Sequence, residues 1–122
     1  MKIELQKKLF EKYPELFKQK DLPPKKTCMC FGIECEDGWY SLIDFICKNI
    51  NKNGETEVFQ IKEKLGGLRF YINNGTDKDF DLIYTMESFS YYVCERCGST
   101  KDAEPSKENW VKTLCKECIK KE

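Results

Sequence analysis

The chain has 122 residues, with 21 basic and 21 acidic side chains, 40% hydrophobic residues and no histidine. This length suits a single domain with one modest core, and the balanced charge excludes the broad cationic footprint of a general nucleic-acid binder. The lack of histidine removes the usual general base, the mixed Cys/His zinc sets and the Ser-His and Cys-His nucleophile arrangements.

Charge is unevenly spread. Residues 1–30 carry 8 Lys against 4 acids, residues 31–90 carry 6 basic against 11 acidic, and residues 91–122 carry 7 against 6. Any site for a polyanion must therefore be local. The opening MKIELQKKLFEKYPELF has no apolar run of signal-peptide length, and no segment has the length of a membrane span. The expectation is a cytoplasmic protein, in which eight cysteines read as metal ligands or buried thiols rather than disulfides.

In chain order, Leu5, Leu9, Tyr13 and Leu16/Phe17 recur at helical spacing. Pro14 divides them into a helix ending near Lys12 and a further turn, closed by the DLPPKK linker. TCMCFGIECEDGWY reads as irregular, with Trp39 as a core anchor. In SLIDFICKNI, Leu42, Ile43, Phe45, Ile46 and Ile50 suit a buried helix, with Ser41 as its N-cap candidate and Cys47 among its apolar residues. NKNGE is a turn signal.

VFQIKEKLGGLRFYIN, residues 58–73, reads as a β-hairpin turning at Gly66-Gly67. Pairing Leu65 with Leu68 sorts Phe59, Ile61, Leu65, Leu68, Phe70 and Ile72 onto one face, with Glu63 as the exception. Gln60, Lys62, Lys64, Arg69 and Tyr71 fall on the other. The competing reading is a helix over Val58, Ile61 and Leu65 with Gly66 as its C′ residue. A helix over 77–91 follows, started by a Thr76 or Asp77 cap and first-turn acids. Asp77, Asp79 and Asp81 belong to that helix start rather than to a divalent-metal cluster.

Cys94, Cys97, Cys115 and Cys118 give the pattern C-x2-C-x17-C-x2-C. A two-residue gap lets both thiolates of a pair reach one ion, and two such knuckles complete a tetrahedral four-sulfur zinc site. Gly98 suits the positive φ that a knuckle often needs. Redox dithiols are the competing reading, without a thioredoxin-like context to support them. Four sulfurs leave no open position for water, so the expected single Zn2+ is structural. Trp110 is expected to shield it. Cys28, Cys30, Cys35 and Cys47 read as buried or half-buried thiols, with a second metal site as the alternative.

The knuckle CERCG, the strand-like WVKTLC and the helix-opening CKEC resemble the treble-clef group, and in spacing the GATA-type zinc finger, over residues 92–122. In that family the DNA contacts come from the helix after the second pair and the basic tail beyond it. Only Ile119 to Glu122 follow Cys118, so the resemblance implies the metal fold without the groove-reading element. GIECEDGWYSLID, IKEKLGGLRFY and CERCG…WVKTLCKEC, taken in order, resemble a family of small bacteriophage and prophage proteins. That resemblance covers roughly residues 9–118 and implies action inside an infected bacterium. It supplies neither ligand nor catalytic residues.

The expected fold is α+β: helices around a short antiparallel hairpin in a body over 1–91, closed by a treble-clef-like four-cysteine zinc module over 92–122. The expected function is non-enzymatic binding of a nucleotide or nucleic-acid phosphate by Lys62, Lys64, Arg69 and Tyr71. Arg offers a planar fork, Lys a point charge and Tyr a stacking surface. The Gly-Gly turn would allow close backbone approach of the ligand, and Glu34, Glu36 and Asp37 are the acids that could instead neutralise the cations. The alternative function is a phage protein that binds and inhibits a host protein.

Overall fold

A computed structural model describes residues 1–107 and 110–121. It is an α+β fold in which α1 (Ile3–Lys12), β1 (Ile33–Glu34), α2 (Tyr40–Asn49), β2 (Glu57–Lys64), β3 (Gly67–Asn73) and α3 (Asp77–Ser90) precede a cysteine-bearing segment. That segment contains a two-stranded ladder, β4 (Glu104–Pro105) and β5 (Thr113–Leu114), and the short helix α4 (Lys116–Lys120).

The β2–β3 hairpin forms, but its turn lies one residue earlier than the Gly66-Gly67 reading. Lys64 pairs with Gly67, Lys62 with Arg69 and Ile61 with Phe70. The two loop residues are Leu65 (φ 52°) and Gly66 (φ 85°), the positive-φ pair of a primed hairpin turn. Leu65 is therefore exposed at the tip, not on the apolar face. Gly67 is a glycine for a different reason, because a Cβ there would lie 2.4 Å from the Tyr91 ring and hydroxyl. Glu63, the apparent misfit, accepts a hydrogen bond from the Gly66 amide at 2.8 Å and closes the turn.

A bulge between Val58 and Gln60 sets a second difference. Val58 takes the core position, fully buried, while Phe59 leaves it and stacks on Tyr71. The extra residue of a bulge breaks the strict alternation on which face assignment depends.

β1 lies in the stretch expected to be irregular, yet it pairs parallel to β2 through Ile33–Ile61 and Glu34–Lys62, giving the sheet order β1-β2-β3. Two residues carry no periodic signal. The outer edge of β3 is covered by α3, where Ser90 Oγ accepts from the Leu68 amide (2.9 Å) and Glu87 Oε2 from the Phe70 amide (2.8 Å). Side-chain acceptors on a flanking helix blunt an edge that would otherwise template further pairing.

The core collects Leu9, Phe17, Met29, Trp39, Ile43, Ile46, Ile61 and Leu68, each at most 1% exposed. Trp39 is the anchor expected, and its indole N–H donates to the Val93 carbonyl at 2.8 Å. Ser41 is not the N-cap of α2. A 3-10 turn over Asp37–Trp39 runs straight into the helix at Tyr40, so the first helical turn begins before Ser41. α1 is tied to α2 by Asp44, which accepts from Tyr13 Oη (2.7 Å) and pairs with Lys12 (2.7 Å). Cys47 is buried in the core, and burial pushes its thiol up; the buried Cys35 thiol is pushed up to about 12, chiefly by the same cause.

α3 starts on a capping box in which Thr76 Oγ1 accepts from the Asp79 amide (3.2 Å) and Asp79 Oδ2 from the Thr76 amide (3.1 Å). Thr76→Ala is expected to cost about 1 kcal/mol. Thermal unfolding should show a fall of about 3–5 °C for a domain of this size, and an unchanged Tm would mean the cap is not formed.

Candidate metal centre and the sheet face beside it

Cys94, Cys97, Cys115 and Cys118 come together with their sulfur atoms all within 4.8 Å of one another, three of the residues buried and Cys97 exposed. Cys97 and Cys115 are 3.7 Å apart. This is far beyond a disulfide bond of about 2.05 Å. A tetrahedron with metal–sulfur bonds of about 2.3 Å has edges of about 3.8 Å, so the donor set fits a four-coordinate metal ion. Among the described residues this is the group of metal-ligating side chains that forms; Cys28, Cys30, Cys35 and Cys47 do not assemble into another.

Each knuckle is built locally. The Cys94 carbonyl accepts from Gly98 (2.9 Å), its amide donates to the Ser99 carbonyl (2.8 Å), and Gly98 sits at φ 83°. Burial opposes ionisation of Cys94, but backbone N–H groups of Cys97, Cys115 and Arg96 bring its thiol down to about 7. Cys115 directly precedes α4, and its carbonyl accepts from Ile119 at 3.0 Å. Trp110 does not shield the cluster: it is 80% exposed. Ala103 and Leu114 pack against the buried cysteines instead. Trp110 lines a cleft of about 630 Å³ with Pro105, Lys107, Lys112 and Ile119.

The centre is fastened to the body through the three stretches singled out in the sequence. Gly38 donates to the Glu95 carbonyl at 2.7 Å. A Cβ on Gly38 would fall 2.2 Å from the Cys94 carbonyl oxygen and 2.5 Å from that of Glu95. Thr113 Oγ1 donates to the Gly66 carbonyl at 2.6 Å, and the Thr113 carbonyl accepts from the Glu95 amide at 2.9 Å. Glu95, between the first two cysteines, is 2% exposed and accepts from the Glu36 amide at 3.0 Å. Burial raises its carboxyl above the usual range. Glu36 in turn bridges Arg96 (3.1 Å) and Lys112 (3.0 Å). Burial opposes its ionisation, but bonds from Lys112 and Arg96 hold its carboxyl below the usual range. Sequence spacing gives Gly38 and Glu95 no role. Only the packing of one knuckle on the other segment reveals them.

Comparison of the chain with protein-family models, with curated proteins and with solved structures gives no match.

The hairpin brings the four residues expected to bind a ligand onto one sheet face, though not as equals. Lys62 lies opposite Arg69, and Gln60 opposite Tyr71. Lys62 Nζ sits 5.9 Å from the centre of the Tyr71 ring, a contact worth about 0.5–1 kcal/mol at a partly exposed site. Phe59 stacks on Tyr71 with ring centres 5.7 Å apart. Arg69 is already engaged, donating to the Leu68 carbonyl and to Tyr91 Oη, both at 3.0 Å. Lys64 is exposed, and Gln60, Lys62, Arg69 and Tyr71 are half-buried.

The Gly-Gly turn does not offer its backbone to a ligand. Gly66 and Gly67 are buried, the Gly66 amide is bonded to Glu63 and its carbonyl to Thr113. Of the three acids that could neutralise the cations, Glu36 faces Arg96 and Lys112, and Asp37 accepts from the Lys2 amide. Glu34 lies beside Lys62 in the parallel ladder. Among the described residues no helix is long and apolar enough to cross a membrane.

Proposed function

We propose that this chain is a non-enzymatic binding protein in which one structural Zn2+ on Cys94, Cys97, Cys115 and Cys118 holds the carboxy-terminal segment against the body. Bound there, zinc supplies folding free energy rather than chemistry, because four thiolates complete its tetrahedron. Cys94 and Cys97 fix the first knuckle, and Cys115 and Cys118 fix the second. Native mass spectrometry should give the polypeptide plus one zinc, whereas two zinc ions would assign a second site to the remaining cysteines.

The ligand on this reading is anionic, a nucleotide or a nucleic acid, held by the basic hairpin face. The observation that carries it is the placing of Lys62 against both Arg69 and Tyr71, with Lys64 exposed beyond them. Clustered cations in an otherwise acidic middle of the chain are what a local phosphate site requires. Lys62→Glu combined with Lys64→Glu should abolish binding to both ATP and a short oligonucleotide, with the circular dichroism spectrum unchanged. Binding that survives the double change would remove the site assignment. Arg69 is a poorer test residue, because its bond to Tyr91 also holds β3 to the end of α3.

On the same reading the protein acts in the cytoplasm of an infected bacterium, as its resemblance to phage and prophage proteins implies. A second reading, a phage protein that inhibits a host protein, is favoured by aromatic side chains on and after α3. Phe80 and Tyr84, one turn apart, are 49% and 72% exposed, and Phe89 and Tyr92 are 44% and 65% exposed. Exposed aromatics of this density are common at protein interfaces. This reading predicts a specific host protein retained in a pull-down and lost on Tyr84→Ser, with no response to nucleotides.

A further inference from the structure

Within the anion-binding reading above, on which this step rests, we infer that the hairpin face takes single-stranded nucleic acid rather than a free nucleoside polyphosphate or a duplex. Polyphosphates are gripped by converging backbone amides in a nest or glycine loop. The turn here has no converging set to give, since the Gly66 amide is bonded to Glu63, and Gly66 and the neighbouring Gly67 are buried. A Cβ on Gly66 would already be 3.0 Å from Val111. Small ligands also need walls that cover most of their surface. The face at Lys62, Lys64, Arg69 and Tyr71 is the outer side of a sheet.

An open sheet face with aromatics at one end and cations at the other suits an extended strand. Phe59 and Tyr71 form the aromatic end, the facing Lys62 and Arg69 come next, and Lys64 lies toward the turn. From Gln60 to Lys64 the strand covers about 13 Å at about 3.3 Å per residue, room for two or three nucleotides. A base stacked at Tyr71 would displace the Lys62 ammonium from the ring and free it for the adjoining phosphate. Base–aromatic stacking is the stronger of the two contacts. Gln60, opposite Tyr71, places an amide beside that base edge. A duplex keeps its bases stacked on one another and has nothing to offer Tyr71.

Glu34 is the acid beside the cations on this face; Glu57, paired with Asn73, lies past its aromatic end. The register of Glu34 with Lys62 puts the two side chains on the same side of the sheet, so Glu34 lowers the affinity for any phosphate there. This predicts a gain as well as a loss.

The test is fluorescence anisotropy of labelled dT12 with the purified, zinc-retaining full chain, with ATP and a dT12·dA12 duplex as competitors. The expected result is dT12 binding at least tenfold tighter than either competitor, with log K falling against log salt at a slope of about −1.4 to −2, as for two or three phosphate contacts. Tyr71→Ala should weaken dT12 about tenfold and Glu34→Gln should tighten it about threefold, each with an unchanged circular dichroism spectrum. Equal competition by ATP or by duplex overturns this inference and leaves the basic-face reading standing. Tight dT12 binding that is indifferent to both Tyr71→Ala and Glu34→Gln also overturns it. If none of the three probes binds, the anion-binding reading falls with it.

Discussion

Cys115→Ser is expected to unfold the chain from about residue 92 onward and to abolish stoichiometric zinc. Structural zinc in small thiolate modules has an apparent binding free energy of roughly 10–16 kcal/mol, most of it folding free energy. The cysteine-bearing segment has little core of its own. Its own core is Ala103, Leu114 and three buried cysteines, and its ladder is two residues long on each strand. The damage should not stop there. Thr113, two residues from Cys115, donates to the Gly66 carbonyl, so the hairpin turn loses its buried support. Hydrogen–deuterium exchange should therefore show lost protection at the β2–β3 turn and around Gly38 as well as in the segment itself. A chelator acting on the wild-type chain should reproduce the pattern, while Cys28→Ser should not. Wild-type protection from residue 92 onward in Cys115→Ser would sink the metal assignment.

The sequence shows what depends on local spacing. The four cysteines are legible because two-residue gaps and a glycine after Cys97 are themselves the geometry of a knuckle. α1 and α3 are legible because period and caps are local, as in the Thr76–Asp79 box. The hairpin is visible but its register is not. Two adjacent glycines present one turn signal, and they answer to different constraints: Gly66 to the turn, Gly67 to the Tyr91 ring packed on it from 24 residues away. The bulge at Phe59 then moves an aromatic from the core to the opposite sheet face, onto Tyr71. β1 escapes notice because it is two residues long, and it is the strand that brings Glu34 beside Lys62. Trp110 is misplaced because nearness to Cys115 in sequence says nothing about which way a loop faces. Only a side chain buried against the cluster can shield it, and that position is held by Ala103 and Leu114.

Gly38→Ala should destabilise the protein by about 3 kcal/mol or more, although it adds a single methyl group. The residue is not in the left-handed region, so alanine meets no backbone penalty there; the cost comes from what the methyl would strike. Carbonyl oxygens of Cys94 and Glu95 and the Gly98 amide would lie at 2.2, 2.5 and 2.5 Å. All three are backbone atoms of the first knuckle, and none can swing aside as the end of a side chain would. Overpacking at a site that cannot relax exceeds the usual 1–3 kcal/mol. Relief would require the knuckle and the body to move apart, breaking the bonds from Gly38 to the Glu95 carbonyl and from the Trp39 indole to the Val93 carbonyl. Gly54→Ala provides the contrast: its φ of 77° carries a conformational cost of about 1 kcal/mol, and no atom lies within 4 Å of the new methyl. Urea unfolding of the two variants separates docking from backbone strain. If Gly38→Ala costs no more than Gly54→Ala, the knuckle does not pack on Gly38. If it costs several kcal/mol while native mass spectrometry still finds one zinc, the metal segment folds by itself and Gly38 governs only its seat on the body.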